Sequence, residues 1–362
     1  MRRAYNFGAG PSALPTEVLL EAQKELLDFK GSGLSIMEAS HRSPLYEEIH
    51  NGAISLMREL YAIPDEYEVL FLQGGASMQF AMVPMNLKKS GRVQFANTGT
   101  WSSKAIKEAK IAGMSVEVVA TSEETSFDRI PENIEFDAMV DYAHITSNNT
   151  IYGTQYRLYP TTQAPLVVDA SSDIFSYLID WSKVDMMYAG AQKNAGPSGV
   201  TIVIMKKSLI GEIDESVPTM LRYKTHADNN SLYNTPPTFG IYLLGLTLEW
   251  IKKQGGIKAI DALNQKKATL LYDAIDSSNG FYVGHAQKES RSVMNVSFNI
   301  KGKDKELEAK LIQKTQEAGM IGLKGHRSTG GLRASIYNGV SLEAVEALVV
   351  LLKEFAQEVQ DV

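Results

Sequence analysis

The chain has 362 residues, 44 % hydrophobic and 22 % charged, with a net charge of -6. That is the balance of a globular protein with one large domain and a smaller partner, or two domains, and it offers no basic surplus to hold nucleic acid or an anionic membrane. Cysteine is absent, which removes disulfides, thiolate metal sites and cysteine nucleophiles.

The six histidines show no HExxH-type spacing, so no metal is expected. No apolar run approaches the ~20 residues of a membrane span. The opening MRRAYNFGAGPSALP lacks the apolar stretch of a signal peptide, so the expected location is cytoplasmic.

In chain order, a helix is expected near 16–30 and a strand at VLFLQ (69–73). A helix near 76–88 follows, then a strand at VQFAN (93–97) and a basic helix near 101–112. Further strands are expected at VEVV (116–119), AMVDY (138–142), PLVVDA (165–170), MMYAG (186–190) and VTIVIM (200–205). Several are continuous apolar runs, the pattern of strands covered on both faces. Strands alternating with helices imply right-handed crossovers and an α/β fold with a mostly parallel sheet.

After about residue 250 the pattern changes. A long amphipathic helix (256–277) precedes a strand at MNVSFNI (294–300), a charged helix (303–318), a strand at RASIY (333–337) and a last helix. This predicts a large domain over 16–255, and a smaller α+β domain over 256–362 joined by residues 1–15.

Four features could carry chemistry. Gln73-Gly74-Gly75-Ala76-Ser77 links a strand to a helix, and its small residues let backbone N–H groups approach an anion at the helix N-terminus. A tight turn with a capping serine would look the same. Asp169 closes the apolar strand VVDASS, at the end of a sheet where ligands gather; a simple helix cap or loop ion pair is the alternative. Lys193 stands in YAGAQKNAGPSG, where small residues would let a flat ligand lie close, and a lysine in a dry site becomes a nucleophile. A surface loop lysine is the bland reading. His41-Arg42 and His326-Arg327, with Arg333, are loop cations suited to carboxylate or phosphate, or simply solvated.

Together these parts match the needs of pyridoxal phosphate. The phosphate needs N–H donors, the ring nitrogen needs a carboxylate, and the aldehyde needs a lysine. Trp101, at the start of a helix, could stack on the ring or be a core tryptophan.

Nine blocks in order also carry a resemblance: NFGAGPSALP, GLSIMEASHRS, FLQGGASMQFAMVPMNL, ANTGTWSSKAIKEA, NNTIYGTQY, VVDASSDIFS, YAGAQKNAGPSG, YNTPPTFGIY and GHRSTGGLRASIYN. On them the chain resembles the phosphoserine aminotransferases, fold-type-I pyridoxal phosphate enzymes of the class V aminotransferase group.

The resemblance implies transamination of 3-phosphooxypyruvate by L-glutamate, and in some members a second activity on 3-hydroxy-2-oxo-4-phosphonooxybutanoate. It implies that Lys193 holds the cofactor and Asp169 pairs with its ring nitrogen. Trp101 would stack on the ring, with Thr150 near the phenolic oxygen. Ala76, Ser77 and Gln192 would hold the phosphate, and Asn234 and Thr235 would reach it across a homodimer interface. Arg333 would clamp the substrate α-carboxylate. His41 and Arg42 would take the distal anion, with His326 and Arg327 donated by the second subunit. Some members carry arginine where Ser77 stands here, and many begin with Ser-Ser-Gly-Pro where this chain has Gly8-Ala9-Gly10-Pro11.

Rival readings are a desulfurase-like lyase, which the missing cysteine opposes, and an alanine–glyoxylate aminotransferase, which the paired anion-binding doublets oppose. A phosphate-binding protein without catalysis is the rival from another class.

Overall fold

A computed structural model describes residues 3–360. Its centre is a seven-stranded sheet. The strands are Tyr67–Leu72 (β1), Arg92–Asn97 (β2), Ser115–Thr121 (β3), Tyr142–Thr146 (β4), Leu166–Asp169 (β5), Met186–Gly190 (β6) and Thr201–Lys206 (β7). They lie in the order β1-β7-β6-β5-β4-β2-β3. Every neighbouring pair is parallel except those of β7, which runs against β1 and β6.

Alternate residues of one strand feed two cores, as a sheet covered on both faces requires. Val69 and Phe71 join one, with Val168, Met187 and Ile202. Helices Pro44–Tyr61 (α2) and Thr238–Lys253 (α5) cover this face, through residues such as Met57 and Leu244. Leu70 and Leu72 join the other, with Val167, Tyr188 and Val203. There the cover comes from Gly75–Leu87 (α3) and Thr100–Ile111 (α4), through Phe80, Val83, Ile106 and Ala109.

A third cluster joins Leu271, Val296, Leu332, Leu348 and Phe355 with Phe7. It holds Gly256–Asp276 (α6), Lys305–Glu317 (α7) and Leu342–Gln360 (α8) around a small sheet of Tyr282–Gly284 (β8), Asn295–Ile300 (β9) and Leu332–Ser335 (β10). Tyr5–Asn6 pairs in parallel with Met320–Ile321, which ties the N-terminal segment to this body.

Three expectations need correction. The strand expected at 138–142 begins at Tyr142 and runs to Thr146. Residues before it form a turn in which the Asp141 carboxylate accepts from the amides of Lys89, Ser90 and Gly91. The first helix, Thr16–Lys24 (α1), stops six residues short, and Lys30, Gly31 and Gly33 beyond it take positive φ, so no helix continues through the rest of the expected span. Helices α2 and α5 were not among the expected elements.

Candidate active site

The carboxyl ends of the parallel strands converge on one cleft, as open α/β sheets arrange it. The loop after β1 is the first wall. Gly74 has φ +85, and a Cβ there would sit 2.6 Å from the Cβ of Met78, so only glycine allows the turn into α3. Thr201, which begins β7 at this same end, accepts the Gly75 amide through Oγ1 at 2.8 Å. The following amides, Ala76 and Ser77 among them, lie in the first turn and lack carbonyl partners within the helix. Ala76 is half-buried and Ser77 exposed.

Asp169 ends β5, flanked in register by Thr146 and Tyr188. It is buried, and one carboxylate oxygen accepts the Ser171 amide at 3.0 Å. Burial raises its pKa; Lys193 and Ser171 pull the other way. Asp173 lies one turn further on, also buried, and accepts from Ser147 Oγ at 2.5 Å and from Gln155 and Tyr177 at 3.1 Å each. Its pKa is raised to about 6, chiefly by burial.

Lys193 follows β6 in a tight turn. Its ammonium donates to Thr150 Oγ1 at 2.7 Å and stands 4.8 Å from the centroid of the Trp101 ring. Burial lowers its pKa to about 8; Asp169 opposes this, and Arg333 and Lys104 reinforce it. The N-terminal segment drapes over the lysine: Ser12 donates its amide to the Gln192 carbonyl and its hydroxyl to that of Lys193. A Cβ at Gly10 would lie 3.2 Å from Lys193 Cγ, so the segment approaches as closely as glycine permits. Gln192 is half-buried beside Gly190, whose missing side chain makes room for its amide.

Arg333, on β10 of the smaller body, reaches the Thr150 carbonyl at 3.5 Å, and burial lowers its pKa. Its Nε, like Trp101 Nε1, is buried without a partner among the described residues. These are donors waiting for an acceptor that the protein does not supply. Burial lowers the His326 pKa, and Arg333, Arg327 and Lys104 push it the same way. These four basic side chains therefore share one neighbourhood within a single chain.

His41 and Arg42 lie elsewhere. They precede α2, next to the cluster formed by Ile36, Ala39, Tyr46 and Tyr242. Within the chain, among the described residues, no hydrogen bond or ion pair joins their side chains to the Lys193 cleft; His41 Nε2 is buried and unpaired. Asn234 and Thr235 are exposed, and Gln73 donates to the Thr235 carbonyl at 3.3 Å.

Sequence reasoning missed Lys104, Ser12, Ser171 and Asn194. The signal for Ser12 was its place in AGPSALP; Lys104 was read as one more charge on a basic helix.

The family model for aminotransferase class-V matches residues 4–348. The phosphoserine aminotransferase of Lysinibacillus sphaericus is 57 % identical over 363 residues, covering 99 % of each chain. The solved phosphoserine aminotransferase from Bacillus circulans subsp. alkalophilus superposes with a TM-score of 0.96 at 49 % identity, over 98 % of this chain and 99 % of that one. A PLP-bound phosphoserine aminotransferase from Trichomonas vaginalis gives 0.92 at 38 % identity, over 97 % and 100 %. With a cleft of this geometry and likeness over nearly its whole length, the chain belongs to the class-V aminotransferase family.

Proposed function

We propose that this chain is a pyridoxal phosphate-dependent aminotransferase that moves the amino group of L-glutamate onto 3-phosphooxypyruvate, giving O-phospho-L-serine and 2-oxoglutarate. The substrate pair follows from its phosphoserine aminotransferase relatives. The observation that carries the chemistry is Lys193, held on Thr150 beside Trp101 with its basicity lowered to about 8, one strand away from the buried Asp169.

The residues present fit the cofactor. Asp169 offers a carboxylate in a dry site, the α3 N-terminus offers free amides, and Trp101 and Arg333 have unused donors. Lys193 would hold the aldehyde carbon and Asp169 the protonated ring nitrogen. Trp101 would stack on the ring and Thr150 face the phenolic oxygen. Ala76, Ser77 and Gln192 would hold the phosphate, with Asn234 and Thr235 from the second subunit of a homodimer. When bound, pyridoxal phosphate supplies the electrophilic carbon and the electron-accepting ring.

The chain's own residues do the rest. With the cofactor bound, the Lys193 amine would take the proton from the substrate Cα as general base, carry it on Nζ and deliver it as general acid. An amine with a pKa near 8 is partly neutral at neutral pH, so it can act as base without first being stripped of a tightly held proton. Arg333 orients the α-carboxylate. The His41-Arg42 and His326-Arg327 doublets receive the distal anion from opposite subunits, but with the division reversed from the one the resemblance implies: His326 and Arg327 neighbour Arg333 in the same chain, so His41 and Arg42 are the pair the second subunit would donate. The smaller body, residues 256–362 with 1–15, is the domain that carries Arg333 to the cleft. A cytoplasmic location fits these substrates.

The test is a screen with glutamate as donor, comparing 3-phosphooxypyruvate with pyruvate, hydroxypyruvate and glyoxylate. A preference of at least ~100-fold in kcat/KM for the phosphorylated acid is expected; comparable turnover of glyoxylate would dismiss this substrate reading. Lys193→Ala should remove both turnover and the visible absorption band, and a variant retaining either sinks the catalytic assignment.

A further inference from the structure

Lys104 lies on α4, three residues after Trp101 and on the same face of the helix. Its ammonium stands 4.4 Å from the Trp101 ring centroid, and that of Lys193 stands 4.8 Å from the same centroid. The two distances bound the separation of the ammonium groups at about 9 Å. Helix side chains lean toward the N-terminus, and that direction on α4 is the cleft.

Lys104 is exposed, and among the described residues no carboxylate pairs with it. Glu108 follows at the (i, i+4) position where a helix pair commonly forms. The ammonium instead lies over the indole. Across the mouth stand His326, Arg327 and Arg333, and the charge of Lys104 reaches both His326 and Lys193. A chain of net charge -6 has thus set two lysines against Trp101 and coupled them to His326, Arg327 and Arg333, with no acidic residue paired to Lys104 among the described residues. Like charges so placed repel one another and gain only when an anion enters.

We infer that Lys104 is a specificity-determining residue, which receives the distal phosphate of the substrate at the cleft mouth while Trp101 holds its extended arm in place. Arg333 sits deeper, on the Thr150 carbonyl next to Lys193, where the α-carboxylate belongs. The outer cation therefore meets the other end of a doubly anionic acid. This rests on the substrate reading above.

The test uses the holoenzyme and its Lys104→Gln and Lys104→Arg variants. Binding of inorganic phosphate and of O-phospho-L-serine is measured by calorimetry, with kcat/KM for 3-phosphooxypyruvate and for hydroxypyruvate. For Lys104→Gln, the phosphorylated ligands should lose about tenfold, the size of one charge-assisted hydrogen bond, and hydroxypyruvate less than about threefold. Lys104→Arg should recover most of the loss, and raising the salt concentration should weaken wild type more than Lys104→Gln.

Unchanged phosphate affinity, equal loss on both acids, or release of cofactor from the Lys104→Gln protein would each overturn the assignment. A wild-type enzyme that prefers the phosphorylated acid, paired with an indifferent variant, sinks Lys104 alone. A wild type with no such preference sinks the substrate reading and this inference with it.

Discussion

Asp173 offers a clean test of how the floor of the cleft is held. Its carboxyl is buried and accepts three side-chain donors, yet no cation pairs with it among the described residues. Burial lifts its pKa from 3.8 to about 6, with the nearby Asp169 charge adding to the rise. The folded state thus holds this proton more tightly than the unfolded chain does. The stabilising contribution is full below pH 3.8 and is lost as pH rises through about 6. The displacement amounts to ~3 kcal/mol, about half of it falling between pH 5 and 7.5. In Asp173→Asn this pH-dependent loss is absent. The hydroxyls of Ser147 and Tyr177 can rotate to suit an amide, so the fixed cost is one or two hydrogen bonds at ~1 kcal/mol each. Thermal unfolding of both proteins by circular dichroism should show the variant gaining on wild type by about 2 °C between pH 5 and 7.5. Titrating groups that do not sense the Asp173 charge are common to both proteins and cancel in the difference, whereas Asp169 and Lys193 sense it and shift with the substitution. Parallel Tm curves across that range would refute the account.

Thr150→Val removes the hydroxyl that accepts from the Lys193 ammonium. The Lys193 pKa should fall by about one unit further below 8, read from the pH dependence of cofactor recapture by the cofactor-free protein. Gly153→Ala places a Cβ 2.7 Å from the Asn295 carbonyl at a φ of +72. It should cost ~2 kcal/mol or more and lower kcat through the displaced Thr150; an unshifted Tm would contradict this.

The central sheet was legible because each strand satisfies two cores at once. Val69 and Phe71 face one helix layer, Leu70 and Leu72 the other, and the run VLFL has no polar residue to interrupt it before Gln73. The strand Tyr142–Thr146 was harder. His144 and Thr146 look like loop residues, but His144 is buried and bonded to the Tyr188 hydroxyl at 2.8 Å. Helix α5 was hidden by Gly240 and Gly245, which weaken a helical pattern. Their purpose is tertiary: a Cβ on Gly245 would touch that of Ala53 on α2 at 3.9 Å, and one on Gly240 would meet Val200 at 2.8 Å. In the site, Gly74–Ser77, Asp169 and Lys193 were readable because each is a local device at a strand end. The meaning of Lys104 depends on a loop more than 200 residues away in sequence and could not be read from α4 alone.

The alignment of Arg333 with Lys193 is a matter of polar stitching between the two bodies. Asn194, next to Lys193, accepts the Asn338 amide at 2.9 Å and donates to the Ile174 carbonyl at 2.6 Å. Asn338 in turn donates to the Phe175 carbonyl at 3.0 Å and accepts from Asn264 at 2.8 Å. The buried Lys267 ammonium fastens the same loop through the carbonyls of Ile336, Tyr337 and Val340 at 2.8–3.0 Å. An apolar contact would tolerate sliding, because hydrophobic attraction has little direction. Here a shift of one residue would strand several buried amides, each at ~1–3 kcal/mol. The segment that follows Arg333 therefore has one position relative to the lysine turn and to the Asp169–Asp173 loop. The Arg333 guanidinium, proposed to orient the substrate, and the Lys193 amine, proposed to move its proton, are thus held in one frame, though they come from different cores.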